Sequence, residues 1–360
     1  MTVDEYADWL ANALLVRGTG WRLSRIANTN TEYEDEKFEH TLAYLGLKPD
    51  DVKESVEDIR QRMANDTRFN AQLRILAEHL HSDLKEFTGA PHAAGVDASR
   101  IHFLPSGYFN GFCLNKDAFK QPLDGYLIGL NEGLYFSLEF LAKAYVVESV
   151  SGDYEAYRQD ATYLYLNAIN LYSRPDTRIL NDIFFKDVSA RVDGQLSAAQ
   201  SAIAIKTLQF VVLHEFGHIA NRDLDLLDRY NLYMSSPHTD AAQEIASATS
   251  KAHWQAEFQA DEFALSTLCR NSSSHISAWA NFMGVYLMFA WFSHVEQLKG
   301  AALSSLHPPP DQRAARLLEY MKDNIGLWDD MKVEIDKINA LTEKWYTNIQ
   351  QQLARNNHDE

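Results

Sequence analysis

The sequence predicts an α+β protein, mostly helical, with a small antiparallel or mixed sheet. Three observations carry this. Apolar residues recur at three- and four-residue spacing through most of the chain, as on helices with one buried face. One region near 100–131 breaks instead into short runs bounded by Gly, Pro and Asn, the punctuation of strands. Met331, Ile335, Ile338, Leu341, Trp345, Ile349 and Leu353 form one stripe of a long amphipathic C-terminal helix. That stripe is compatible with core packing or with a dimer seam.

Taken in order, "VDEYADWLANALL", "YEDEKFEHTLAYLGL", "PDDVKESVEDIRQRMA" and "FNAQLRILAEHLHSDLKEF" read as helices of an N-terminal region, 1–95. Pro49 followed by acids suits a helix start. "TGAPHAAGVD" reads as a loop and a boundary. "RIHFLP", "NGFCLN" and "GYLIGLN" are the strand candidates, and "EGLYFSLEFLAKAYVVES" resumes the helical pattern. Helices continue through 154–172 and 197–223, and 231–242 is a loop. Further helices carry "WQAEFQADEFALSTLC" and the apolar segment 276–292. "HPPPDQRAARLLEYM" is a rigid proline run leading into a helix. The main domain is placed at 96–320 and the C-terminal amphipathic helix at 321–360. No internal repeat is visible.

With 360 residues, 46% apolar and 23% charged, the chain has the composition of a folded protein. Its net charge of −17 argues against nucleic acid and against an anionic membrane surface, both of which need clustered Lys and Arg. Two cysteines, Cys113 and Cys269, are too few for a disulfide framework. The N-terminus places acids before its apolar stretch, unlike a secretory signal, so a cytoplasmic location is expected. Ile276 to Phe292 is uncharged, but it is short for a span and lacks basic flanks. A buried core helix is the expectation there, and a membrane association is not.

The chemistry concentrates in "FVVLHEFGHIANRD", 210–223. His214 and His218 are four residues apart, so on a helix both imidazoles share one face. Such a pair can hold one Zn²⁺, and Glu215 beside it can take a proton from a water that zinc activates. The flanking residues are apolar, so the pattern lies on a buried helix. Two histidines and a glutamate buried together are costly without a metal. Gly217 costs about 1 kcal/mol relative to Ala in mid-helix, and close packing of another backbone against that face is its expected reason. A hydrolytic zinc site needs a third protein ligand. "AEFQADEFA" offers Glu257, and Asp261 one turn on would hydrogen-bond Nδ1–H of a ligating His. His79 and His81 are read as surface residues, and His275 and His294 as lying at the ends of the apolar helix. Cys113 could cap the zinc, or be an ordinary buried Cys.

HExxH with a downstream ExxxD resembles the gluzincin metallopeptidases. "HEFGH", "EFQAD" and "HPPPDQR" are similar to the family of the CAAX prenyl proteases and the HtpX heat-shock protease over roughly 100–320. "YLIGLNEGLYFSL" resembles that family's edge strand running into a helix. The chain departs from the family in lacking clear membrane helices and in its N-terminal helical region. A looser resemblance is to soluble bacterial peptidases of phage exclusion and immunity. The resemblance implies a zincin-like core and brings His307 and Arg313 near the site, either one a candidate to stabilise the oxyanion. Alternatively the prolines cap a helix and Arg313 pairs with a buried acid. Tyr286 is a rival donor, or core.

The expected function is a zinc metalloendopeptidase with one Zn²⁺ per chain, acting on a protein or peptide substrate. Glu215 would be the general base, with the substrate backbone paired to an edge strand near 125–131. Alternatives are a latent or regulatory effector held by the N-terminal helices, and a non-catalytic zinc-containing interaction module. Substrate and oligomeric state are not written in the sequence.

Overall fold

The computed structural model describes residues 1–16, 68–105, 110–150, 161–162, 165–166, 168–169, 194–224, 240–272, 275–299, 307–325 and 328–356. The helices expected at 33–47 and 49–64, and most of the one expected at 154–172, lie outside the described residues. The described elements are α1 (Val3–Val16), α2 (Arg68–Thr88), a 3₁₀ turn (Ala90–His92), α3 (Ala93–Asp97), β1 (Ser99–Leu104), β2 (Gly111–Lys116), β3 (Pro122–Asn131), α4 (Glu132–Val150), α5 (Gly194–Asn221), α6 (Asp240–Arg270), α7 (His275–Lys299), α8 (Pro310–Ile325) and α9 (Trp328–Asn356). The protein is thus mostly helical with a small mixed sheet, as its sequence implies. The loop expected at 88–97 instead holds the 3₁₀ turn and α3. Gly89 at φ 70° ends the preceding helix and Pro91 starts the new turn.

The sheet has the order β1-β3-β2, with β1 parallel and β2 antiparallel to β3. The strand near 125–131, expected at an edge, is therefore central. Leu127 pairs with both Arg100 and Leu114, and Ile128 with both Ile101 and Cys113. Its buried C-terminal half, Leu127 to Asn131, explains this position, because a strand covered on both sides carries a continuous apolar run. Among the described residues the edges are β1 and β2.

The two faces of β3 serve different layers. Leu127 packs against Val3, Tyr6 and Ala7 of α1. Ile128 and Leu130 face the main helical core. α1 starts with a reciprocal cap, in which Glu5 N–H donates to Thr2 Oγ1 at 3.1 Å and Thr2 N–H to Glu5 Oε2 at 2.8 Å. Val3 N–H donates to Asp124 Oδ1 at 2.8 Å, tying that helix start to β3.

The main core joins α2 through Leu76, Leu80 and Leu84, and α9 through Met331, Ile335, Ile338, Trp345 and Ile349. The C-terminal stripe is core. The apolar segment 276–292 is likewise core, with Phe282, Val285, Phe289 and Trp291 buried. Among the described residues no helix is long and apolar enough to cross a membrane. His79 and His81 are half-buried rather than on the surface, and His81 Nε2 lies 3.1 Å from the Val96 carbonyl.

α5 runs through the middle of this core, and two glycines set its distance from its neighbours. A Cβ on Gly217 would stand 3.0 Å from Ala260 Cα and 3.3 Å from Ala260 O, so α6 touches α5 backbone to backbone. A Cβ on Gly284 of α7 would stand 2.3 Å from Thr207 Oγ1 and 2.9 Å from Ile203 O. In Gly217→Ala the helix-propensity gain of about 1 kcal/mol opposes an overpacking cost of about 1–3 kcal/mol. Because the crowded neighbour is backbone, the cost wins. Urea denaturation of this variant should give a lower midpoint than the wild type, with an unchanged slope.

Candidate metal centre

α5 and α6 present their polar residues to each other at the level of the Gly217–Ala260 contact. His214 and His218 lie on one face of α5, with ring centroids 4.9 Å apart and planes at 86°. Glu257 reaches across from α6, its Oε2 3.5 Å from His214 Nε2 and its Oε1 3.6 Å from His218 Nε2. All three side chains are buried, and their ligand atoms lie within 4.8 Å of one another. These distances are too long for good hydrogen bonds. They leave room between the donors for a cation with bonds of about 2 Å.

The far side of each imidazole faces a carboxylate. His214 Nδ1 lies 2.9 Å from Asp261 Oδ1, and His218 Nδ1 lies 3.0 Å from Asp223 Oδ1. A carboxylate at Nδ1 keeps the proton there and leaves the Nε2 lone pair for a ligand. Both Nε2 atoms point at the Glu257 carboxylate. Four carboxylates, those of Glu215, Glu257, Asp261 and Asp223, thus surround two neutral-capable imidazoles, with Arg313 the nearby guanidinium. Burial alone would lower the pKa of His214, but Asp261 and Glu257 reverse this and raise it to about 10. The cluster therefore favours positive charge at its centre. Two imidazoles and a carboxylate, buried together with their ligand atoms converging, could hold a metal ion.

Asp261 has a second partner. Arg313 on α8 grips it through Nε to Oδ2 and Nη2 to Oδ1, both at 2.7 Å. Burial would raise the Asp261 carboxyl, but Arg313 and His214 hold it below the usual range. Arg313 Nη1 also lies 3.7 Å from Glu257 Oε2, and its guanidinium covers the Phe289 ring at 4.9 Å. Of the two alternatives for Arg313, the pairing with a buried acid is the one seen. His307 is half-exposed, with Nδ1 3.0 Å from Glu257 Oε2. Despite burial, His214 and His307 keep the Glu257 carboxyl well below its ordinary value.

The sequence-derived residues thus divide. His214, Glu215, His218, Glu257, Asp261, His307 and Arg313 gather around one point. Tyr286 does not: its hydroxyl donates to Asn339 Oδ1 at 3.0 Å, in a crevice between α7, α8 and α9. Cys113 on β2 is buried. Burial and the neighbouring Glu215 carboxylate hold its thiol protonated, well above the usual thiol range. β2 itself lies against α5, since a Cβ on Gly111 would meet Val211 Cγ1 at 2.8 Å and Glu215 Oε1 at 3.5 Å.

Two residues escaped the sequence reading. His253, one turn before Glu257, is buried with its ring 6.4 Å from that of His307. Its i−4 spacing from Glu257 was the available signal. Asp223 follows the end of α5, where the chain reverses through Arg222 at φ 60°. Asp223 N–H donates to His218 O and Arg222 N–H to Ile219 O, each at 3.2 Å. This is a Schellman ending with arginine at the position that glycine usually takes. The reversal brings the Asp223 carboxylate back onto His218.

A family model described as Peptidase U49 matches residues 168–324. That stretch contains every residue of the cluster and excludes the sheet. The match supports a peptidase, and hence a protein substrate. No curated protein and no solved structure matches the chain.

Loss of an outer carboxylate of this kind typically weakens metal binding about 10–100-fold. Asp223→Ala should do so in a zinc-chelator competition assay. Arg222→Gly, which relieves the left-handed strain while keeping the turn, should retain wild-type affinity and unfold at equal or higher denaturant.

Proposed function

We propose that the chain is a zinc metalloendopeptidase of the gluzincin type, with His214, His218 and Glu257 as the metal ligands. The observation that carries this reading is the convergence of two buried imidazoles, each with a carboxylate at Nδ1, and one further carboxylate beside Glu215. Peptide hydrolysis by a metal-activated water uses those groups in that relation. When bound, the zinc ion would supply Lewis acidity, polarising the scissile carbonyl and making an attacking water more acidic.

The chain's own residues do the rest. Glu215 lines the same cavity as His214 and Glu257. It takes the proton from the attacking water and carries it to the leaving amine, serving first as general base and then as general acid. Asp261 and Asp223 hold the two imidazoles in the tautomer that leaves Nε2 free. Arg313 keeps Asp261 ionised for that task. His307, half-exposed at the rim and next to Glu257, is the better placed of the two proposed oxyanion donors, because Arg313 is already gripped by Asp261.

The substrate strand belongs on β2 rather than on β3. The outer edge of Gly111–Lys116 has no strand partner among the described residues, and its Gly111 end lies on Glu215. An extended peptide added there would bring its backbone across the mouth of the cavity.

Glu215→Gln should bind one zinc per chain, as the wild type does, and cleave nothing. Mapping of new protein N-termini in cells expressing either form checks this. New termini found with wild type and absent with the variant are expected; equal sets would reject the mechanism.

A further inference from the structure

The cavity at the metal cluster extends into an apolar recess that the hydrolytic chemistry itself does not require. The whole cavity measures about 170 Å³. Leu134 of α4, Phe210 and Val211 of α5, and Met288, Phe289 and Phe292 of α7 form its apolar wall. The rings are fixed in place. Phe210 meets Phe289 edge to face at 6.1 Å, and Phe289 is in turn capped by the Arg313 guanidinium. Phe210 and Phe289 are each 1% exposed, so the wall cannot turn away without unpacking the core. Glu296, one turn beyond Phe292 on α7, lines the same cavity, as do Glu215, Glu257, His307 and Arg313.

We infer that this recess is the pocket that selects the residue flanking the scissile bond, and that it takes a bulky apolar side chain of the Leu, Met or Phe class. An acidic side chain is rejected there, because it would be desolvated against the apolar wall, and the Arg313 guanidinium is already paired with Asp261. The inference rests on the metallopeptidase reading and adds its substrate class. Burying such a side chain rather than glycine is worth at least about tenfold in kcat/KM at a site of this kind.

The test digests a proteome-derived peptide library with the zinc-loaded full chain and subtracts cuts made by Glu215→Gln. Expected are bonds enriched in Leu, Met or Phe, and depleted in Asp and Glu, at the same one of the two flanking positions. Met288→Trp, which fills the recess, should shift the preference to Gly and Ala. Phe292→Ala, at a half-buried position, should flatten it. A flat profile in the wild type, or a preference unmoved by both variants, overturns the pocket while leaving the peptidase reading intact.

Absence of any Glu215-dependent cut would count against the peptidase reading instead. The recess is then judged by calorimetry with two probes, the hydroxamates of phenylalanine and of glycine. The phenylalanine compound should bind the zinc-loaded chain at least about tenfold tighter, with the gap closing in Phe292→Ala. Equal affinities, or a gap that survives the substitution, overturn the pocket.

Discussion

Two helices can bring side chains from both of them to one point only when their axes lie close. Packed helices usually stand 8–10 Å apart, at a separation set by the side chains between them. At Gly217 there is no side chain between, and the Ala260 backbone rests where a Cβ would be. This contact fixes the reach of Glu257 across to His214 and His218. It also places Asp261, one turn along α6, beside the outer nitrogen of His214. Gly284 makes the matching contact from α7, so α5 is gripped on two sides by backbone rather than by adjustable side chains. Interiors packed this tightly yield little to small forces. The cluster's geometry is therefore set before any ligand arrives.

The electrostatics follow from the same crossing. Asp261 answers to two partners at once, His214 in its own helix pair and Arg313 from α8. A buried pair of this kind is weak evidence for stability, because desolvation offsets most of the attraction. Its effect here is positional. The bidentate grip leaves the carboxylate one orientation, and that orientation serves the imidazole. It also draws α8 and its proline run against the cluster, which brings His307 to the rim. The region from "HPPPDQR" thus contributes a fixed anchor and a half-exposed imidazole from seven consecutive residues.

Much of the cluster was legible because its spacing is helical. His214 and His218, and Glu257 and Asp261, are i, i+4 pairs, and on an α-helix that interval alone decides a shared face. Gly217 announced itself by its energetic cost in mid-helix. The strand order was not legible. A run buried on both faces, such as Leu127 to Asn131, marks a central strand, but "GYLIGLN" is short enough to be read either way. The partners that decide it, β1 and β2, both precede it in the chain and run beside it in opposite directions. Tyr286 misled for a related reason. Its helix is apolar all round, so the sequence gives no face for it, and it turned out to point toward α9. The crossing of α5 and α6 settled which acids meet which histidines, and that is a tertiary fact.

Asp223 was missed for a different reason, and it concerns where structural information is stored. What aims its carboxylate at His218 is the left-handed backbone of Arg222, not the arginine side chain. The instruction is written in a dihedral angle. Glycine, asparagine or arginine can all obey it at modest cost, whereas a β-branched residue or proline cannot. Position 222 is thus free to drift in chemical identity while bound in conformation. Comparisons that score residues by type would pass over it, although the orientation of one imidazole depends on it.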